Sequence, residues 1–221
     1  MVTQRLALAV LLTLLSPGGV HEGNAAADIS GDQIVAVSEK MIHVIEGLGD
    51  FSCETEVHYY HLGKEHQLYC FTFFWERKGT TRIKFSRPYP GLTASHKRGD
   101  TLVTIQPLPF LPFVKFRCSL YHSLVKSPSG QRMDQASIEY LSRFFYHNIT
   151  SIQQKEHSFI DESATVAFTF WADDYTGGKE INRYQVTVSK DNWLPQRIER
   201  YNHLNAPIEV IIFKGFRPPA S

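Results

Sequence analysis

The chain has 221 residues, 20% of them charged and 43% hydrophobic, a composition typical of globular proteins that excludes global disorder. It carries 23 Lys and Arg against 22 Asp and Glu, and a net charge of +1 gives no whole-chain field that would point to nucleic acid or to an acidic membrane surface. The 15 Phe, 10 Tyr and 3 Trp, together with many β-branched residues, favour a fold built from sheet.

The first 27 residues have the pattern of a secretory signal peptide. One basic residue precedes an apolar run from Leu6 to Leu15, and the small residues Asn24-Ala25-Ala26-Ala27 form an A-x-A cleavage site. The apolar run is too short to cross a bilayer. We expect cleavage after Ala27, which leaves residues 28–221 as one domain in an exported, oxidising compartment.

A first helix is predicted over residues 32–48, with Ser30 or Asp32 as N-cap and glycines at its end. Its apolar positions recur at helical spacing: Ile34, Val37, Met41, Val44 or Ile45, and Leu48.

Most of the chain after this helix is strand-like, in short segments separated by Gly, Asn, Asp and Pro turns. The predicted strands are residues 51–59, 68–75, 81–87, 101–105 and 113–126, then 149–160, 164–172, 181–190, 194–201 and 208–216. Between the two sets, Asp134 can cap a second helix whose apolar stripe is Ile138, Leu141, Phe144 and Phe145. This order predicts an α+β domain: one strongly curved antiparallel sheet whose concave face is covered by helices.

The sequence shows no pattern that predicts catalysis. The nucleophile-elbow, zincin, P-loop and dinucleotide motifs are missing, so we expect no enzyme activity, no cofactor and no metal. Three cysteines, Cys53, Cys70 and Cys118, allow one disulfide. A Cys53–Cys70 bridge and three buried free thiols are both compatible with the pattern.

Aromatic residues occupy both faces of several strands. Two interpretations stay open: an aromatic-rich core beneath two helices, or an apolar cavity enclosed by the curved sheet and able to hold an acyl chain. The candidate cavity residues are Phe71, Phe73, Trp75, Phe85, Phe113, Phe116, Phe168 and Phe170.

Several short motifs resemble the LolA/LolB-like superfamily, the periplasmic lipoprotein-carrier fold. They are Gly49-Asp50-Phe51-Ser52-Cys53 after the first helix, Ile83-Lys84-Phe85-Ser86-Arg87-Pro88-Tyr89, Gly99-Asp100-Thr101-Leu102, Leu194-Pro195-Gln196-Arg197-Ile198-Glu199-Arg200-Tyr201, and the strand from Ile208 to Gly215. The resemblance runs in order from Ile34 to about Pro218.

The resemblance implies an incomplete β-barrel of about eleven strands, with helices as a lid over a cavity that takes lipid acyl chains. It also implies that Arg87, in the Arg-Pro motif, contacts the lid and tunes its opening. Ile138, Leu141 and Phe145 would be the lid side chains. Tyr89-Pro90-Gly91-Leu92 replaces the tryptophan-bearing run expected after the Arg-Pro pair, which favours a LolA-like protein over the dedicated carrier.

Together these observations predict a monomeric periplasmic protein, without catalysis, that binds or carries an apolar ligand such as a lipid or a lipidated protein. The alternative is an interaction or envelope-sensing module that uses the same half-barrel to dock a membrane-protein partner and has a closed, dry interior. A hydrolase would require polar groups that converge inside the cavity. Nucleic acid is not an expected partner.

Overall fold

A computed structural model of the chain describes residues 23–149 and 157–217. The predicted signal-peptide core, Leu6 to Leu15, lies outside the described residues. Helix α1, Gly23–Gly47, opens the described part and buries Ile34, Met41 and Ile45 on one stripe. Its end is predicted correctly, but the backbone is already helical at Gly23, ahead of the caps expected at Ser30 or Asp32.

The rest of the fold is a single antiparallel sheet of eleven strands that does not close into a barrel. The strands are β1 Phe51–His61, β2 Lys64–Glu76, β3 Thr80–Arg87, β4 Thr93–Lys97, β5 Leu102–Gln106, β6 Phe116–Ser119, β7 Ser158–Asp161, β8 Thr165–Asp173, β9 Ile181–Ser189, β10 Pro195–Tyr201 and β11 Pro207–Arg217. Their order is β6-β5-β4-β3-β2-β1-β11-β10-β9-β8-β7. With helix α2, Ile138–Ile149, this confirms the predicted α+β architecture and strand number.

Three parts of the sheet differ from the prediction. Strand β4 was not predicted, and the strand expected over residues 113–126 is reduced to β6, which is followed by a 3₁₀ turn at Ser123–Val125. The strand expected from residue 149 begins at Ser158, because residue 149 still belongs to α2. In β4 only Ala94 and His96 turn inward, and such short or polar side chains give no hydrophobic alternation to detect.

Of the two alternatives that the sequence leaves open, the Cys53–Cys70 bridge is not formed, and all three cysteines are free thiols. Cys53 pairs with Phe73 across the β1–β2 ladder, whereas Cys70 pairs with Glu56. The two cysteines are therefore three positions out of register, and since side chains alternate along a strand they point to opposite faces. The alternative of unpaired thiols is the correct one.

The concave face is covered by different elements in its two halves. Over β8 and β9, α2 inserts Phe145 against Phe170 and Tyr184, with ring centroids 5.4 and 5.7 Å apart. Helix α1 packs on α2 and on β7. Over β1 to β5, the cover is instead residues 120–136, which we call the strap; its buried Leu120 and Met133 join the hydrophobic core.

Candidate functional site

A cavity of about 430 Å³ lies between the strap and the inner face of β1 to β5. This volume falls within the range of small-molecule sites. The sheet and the β3–β4 turn contribute mainly apolar side chains: Val57, Tyr59, Tyr69, Phe71, Ile83, Phe85, Leu92, Ala94 and Ile105. The strap contributes the roof, including Val125, Met133 and Ala136.

Strand alternation explains why these side chains meet. Ile83 and Phe85 point inward from β3, while Arg82 and Lys84 between them are exposed on the outer face. Cross-strand pairing continues the inner row from Phe71 to Phe85 and from Ile83 to Ala94. The cavity floor is thus the concave face of this half of the sheet, at positions that α1 and α2 do not cover.

Aromatic rings lead from the cavity floor to the surface. The rings of Phe71 and Phe85 are 5.6 Å apart, and Tyr89 lies 6.4 Å from Phe85 and 6.5 Å from Tyr69. Tyr89 is 54% exposed and Leu124, on the strap, is 70% exposed, although both line the cavity. The opening between the β3–β4 turn and the strap is therefore the mouth of the cavity.

Hydrogen bonds within the strap give it a defined shape, although its only helical segments are two 3₁₀ turns, Ser123–Val125 and Met133–Gln135. Ser127 N–H donates to the carbonyl of Gln131 (2.9 Å), and Arg132 N–H donates to Oε1 of Gln135 (3.0 Å). The Gln135 amide also donates to the carbonyl of Tyr175 (3.2 Å), in the β8–β9 connection. The strap is therefore tied to the helix-covered half of the domain.

A buried charged cluster fixes the strap from below. Ser129 Oγ donates to Oε2 of Glu209 on β11 (2.8 Å), and the Tyr175 hydroxyl donates to Oε1 of the same carboxylate. Arg200, on β10, donates from Nη1 to Asp174 (2.6 Å) and places Nε 3.6 Å from Glu209. Arg200 and Glu209 are 2% and 1% exposed. We call Arg200, Glu209, Asp174, Tyr175 and Ser129 the latch cluster.

The electrostatics of the latch cluster keep its groups in defined protonation states. Burial and the negative charge of Glu209 raise the pKa of Tyr175 well above its ordinary value, so its hydroxyl remains a donor. Burial lowers the pKa of Arg200, but Glu209, Tyr175 and Asp174 outweigh it and raise that pKa, so the guanidinium stays charged. Within the latch cluster, Arg200 bonds Asp174, and Tyr175 and Ser129 both bond Glu209.

The structure brings together only some of the residues predicted to line a cavity. Phe71, Phe85 and Phe116 line the 430 Å³ cavity. Phe73 lies beside it, in a small void of about 30 Å³ that it shares with Phe71 and Leu141.

The other predicted residues lie elsewhere. Phe168 and Phe170 are in the packed core under α2, with Phe145 against Phe170. Trp75, on β2, lies under Arg98, with the guanidinium 5.4 Å from its ring, and Phe113 is 79% exposed.

Side chains such as Tyr59 and Ile83 lie on predicted strands but were not predicted to line the cavity, and two further contributors lie in elements that were not predicted at all. One is the strap, whose Ser127-Pro128-Ser129-Gly130 stretch signals only a turn. The other is Ala94, which lies on the unpredicted strand β4.

Arg87 lies exposed at the end of β3, opposite Cys70. Within residues 23–149 and 157–217 it makes no hydrogen bond or salt bridge to either helix. Leu141 and Phe145 are buried beneath α2, and the side chain of Ile138 lies outside the described residues. A role for these four residues in opening stays a prediction.

Other chemistry has little support in the described part of the chain. No group of three or more His, Cys, Asp or Glu side chains there is placed to hold a metal ion. The His58–Glu65 pair (2.9 Å) lies on the exposed β1–β2 hairpin, away from the cavity. No helix among the described residues is both long enough and apolar enough to cross a membrane.

Comparisons with known proteins find relatives through the fold and not through the sequence. No family model matches the chain, and no curated protein does. LprF from Mycobacterium bovis matches with a TM-score of 0.51 at 7% identity, over 87% of this chain and 96% of LprF. The LolA superfamily protein NE2245 from Nitrosomonas europaea matches with a TM-score of 0.40 at 9% identity, over 87% and 94% of the two chains.

A chain of the MucA/MucB complex from Pseudomonas aeruginosa matches with a TM-score of 0.49 at 10% identity, over 86% of this chain and 59% of that one. At such identities a likeness concerns the fold alone. The structural neighbours include a LolA superfamily protein, the superfamily that the sequence resembles, and the match to LprF shows a shared fold.

Proposed function

We propose that this protein is a non-catalytic, periplasmic carrier that holds an apolar, acyl-chain-containing ligand in the cavity between the strap and the sheet. The observation that carries the proposal is the cavity itself: about 430 Å³, floored by aromatic and aliphatic side chains and open at a mouth that is also lined by apolar residues. Burial of each methylene group is worth about 0.8 kcal/mol, so micromolar affinity needs no specific polar contact.

The alternative is an interaction module with a side-chain-filled interior. Half of the concave face is filled in that way, since Phe145, Phe168 and Phe170 pack there without a gap that reaches the cavity. The other half is not filled, and its opening leads to solvent through Tyr89 and Leu124. This difference between the two halves favours a carrier over a module that only docks a partner.

Lipid extraction followed by mass spectrometry tests the proposal. The protein, exported with its own leader and purified without detergent, is expected to carry near-stoichiometric amounts of a lipid or fatty acid. N-terminal sequencing of the same sample tests cleavage after Ala27.

A pair of matched variants shows whether the cavity holds that ligand. Ala94 is buried on the cavity floor, whereas Ala167 lies on the outer face of β8. Ala94→Phe fills the cavity and should abolish co-purifying lipid, while Ala167→Phe should leave it unchanged. Equal lipid content in both variants, or a wild-type protein free of lipid, would show that the cavity is not a carrier site.

A further inference from the structure

The near-neutral net charge hides a strong separation of charge along the chain. Residues 77–133 hold eleven of the 23 Lys and Arg but only one acidic residue, Asp100, of the 22 in the chain. This segment, β3 to β6 plus most of the strap, has a net charge of +10, and the rest of the chain has −9. The whole-chain value of +1 therefore does not describe the surface that a partner meets.

Several of these charges lie on one outer face. Arg82 and Lys84 alternate with the cavity residues of β3 and point away from them, and Lys115 shares a shallow surface groove with both. Arg117, on β6, continues the same face. Within the described residues Lys84, Lys115 and Arg117 have no ion-pair partner, so their charge is not neutralised inside the protein.

Exposed apolar side chains lie at the cavity end of this basic face. In the β5–β6 loop, residues 107–115, Phe110 is 72% exposed and Phe113 is 79% exposed. The loop packs on the β3–β4 turn at the mouth: a Cβ added to Gly91, which has a φ of +86°, would lie 2.6 Å from Cγ of Pro109. Val114 and Phe116 beside them are also exposed, at 36% and 43%, and a cluster of exposed apolar side chains marks an interaction surface.

We propose that this surface docks on an anionic phospholipid bilayer. Phe110 and Phe113 enter the interfacial region, while Lys115, Arg117 and Lys84 contact acidic headgroups, and the mouth between Tyr89 and Leu124 then faces the bilayer. Apolar tips flanked by unpaired cations are the combination that binds anionic membrane interfaces. Docking on the bilayer does not require the protein to carry a ligand. Only the exchange of a ligand between the cavity and the bilayer depends on the proposed carrier function.

Vesicle sedimentation with the full mature chain tests this surface. Vesicles of phosphatidylcholine are compared with vesicles that also contain 30% phosphatidylglycerol, in low and in physiological salt. We expect the protein to bind the anionic vesicles at least on the order of tenfold more tightly, with affinity falling as salt is added.

Two double variants separate the apolar and the charged contributions. Phe110→Ser with Phe113→Ser, and Lys115→Glu with Arg117→Glu, should each reduce binding on the order of tenfold or more. The matched controls, Leu62→Ser with Leu204→Ser and Lys64→Glu with Lys179→Glu, change equally exposed residues outside the basic segment and should bind as the wild type does.

Three results would overturn the docking surface: no binding to anionic vesicles, equal binding to both vesicle types, or equal effects of test and control variants. Binding to polyglutamate or to single-stranded RNA without binding to vesicles would assign the surface to another partner and also overturn it. Lipid content, measured on the same preparations, separates the two proposals. A lipid-loaded protein that ignores vesicles refutes docking alone, and an empty protein that binds them refutes the carrier alone.

Discussion

At the scale of single residues, Glu209 connects several segments of the fold through one buried carboxylate. Its carboxylate is buried on β11 and accepts hydrogen bonds from Tyr175 and Ser129, with Arg200 Nε 3.6 Å away. These partners come from the β8–β9 connection, the strap and β10, so one side chain joins three segments. Burying charged groups costs desolvation energy. The ion pairs and hydrogen bonds within the cluster offset that cost only while every partner is present.

Removal of that carboxylate should therefore be strongly destabilising. Glu209→Ala leaves Arg200 buried with Asp174 as its remaining counter-charge, and we expect the free energy of unfolding to fall by about 3–5 kcal/mol in urea titrations. The matched control is Glu54→Ala, which removes an exposed pair with Arg217 at 3.7 Å. The control should lose less than about 1 kcal/mol. Similar losses in the two variants would mean that the latch cluster contributes no more than a surface ion pair.

Cys53 gives a second prediction at this scale. Burial raises the pKa of its thiol from 9.0 to about 11, and a hydrogen bond with Thr55 only partly offsets this. The pKa of this thiol is higher in the folded state than in the unfolded state, so the folded protein holds the proton more tightly. Its contribution to the free energy of unfolding is therefore complete below pH 9.0 and is lost as the pH rises toward about 11. Between pH 8 and 10.5 this loss is about 2 kcal/mol.

The measurement is the free energy of unfolding at both pH values for the wild type and for Cys53→Ala. Buried tyrosines also destabilise the fold at alkaline pH, so the alanine variant should still lose stability, but by about 2 kcal/mol less than the wild type. Equal pH dependence in the two proteins would show that the thiol does not titrate with a raised pKa.

At the scale of elements, the strap is the part of the fold most suited to move. It has no helix longer than a single 3₁₀ turn, and Ser129–Glu209 and Gln135–Tyr175 are among the hydrogen bonds that attach it to the rest of the fold. Ser129→Ala removes one hydrogen bond to a charged group, worth about 1.5–3 kcal/mol. We expect amide hydrogen exchange across the strap to rise about tenfold or more, while exchange in β8 and β9 stays unchanged.

The matched control for the strap is Ser158→Ala. It removes a 2.6 Å hydrogen bond with Thr169 between exposed positions of β7 and β8. Its strap amides should exchange as in the wild type. Unchanged strap exchange in Ser129→Ala would show that the latch cluster does not hold the strap in place.

Elements were predictable from the sequence where side chains alternate strongly. In β8, Val166, Phe168 and Phe170 are buried and the residues between them are partly exposed, so its period was visible. β4 has only Ala94 and His96 to turn inward, and the strap has neither a helical nor a strand period. The conformations of β4 and the strap depend on residues that are distant in the chain and pack against them. A short window of sequence does not include those residues.

At the scale of the whole molecule, the same local pattern has two outcomes. Phe71 and Phe85 alternate on their strands much as Phe168 and Phe170 do, yet the first pair lines a cavity and the second pair is core. The difference is set by the covering element: α2 inserts Phe145 on one half, whereas the strap spans the other half without filling it. The choice between core and cavity thus depends on the assembled fold.

The half of the concave face under the strap, which contains the cavity, leads to the last prediction. A ligand that binds only the folded state stabilises that state by mass action. At a concentration of 100 times Kd, a long-chain fatty acid should add about 2.7 kcal/mol to the delipidated protein. For a domain of this size that corresponds to a rise in Tm of about 5–10 °C by calorimetry. Ala94→Phe should show no rise with the same fatty acid, since its cavity is occupied, and Ala167→Phe should show the full one. A rise in Ala94→Phe as large as in the wild type would place the binding outside the cavity.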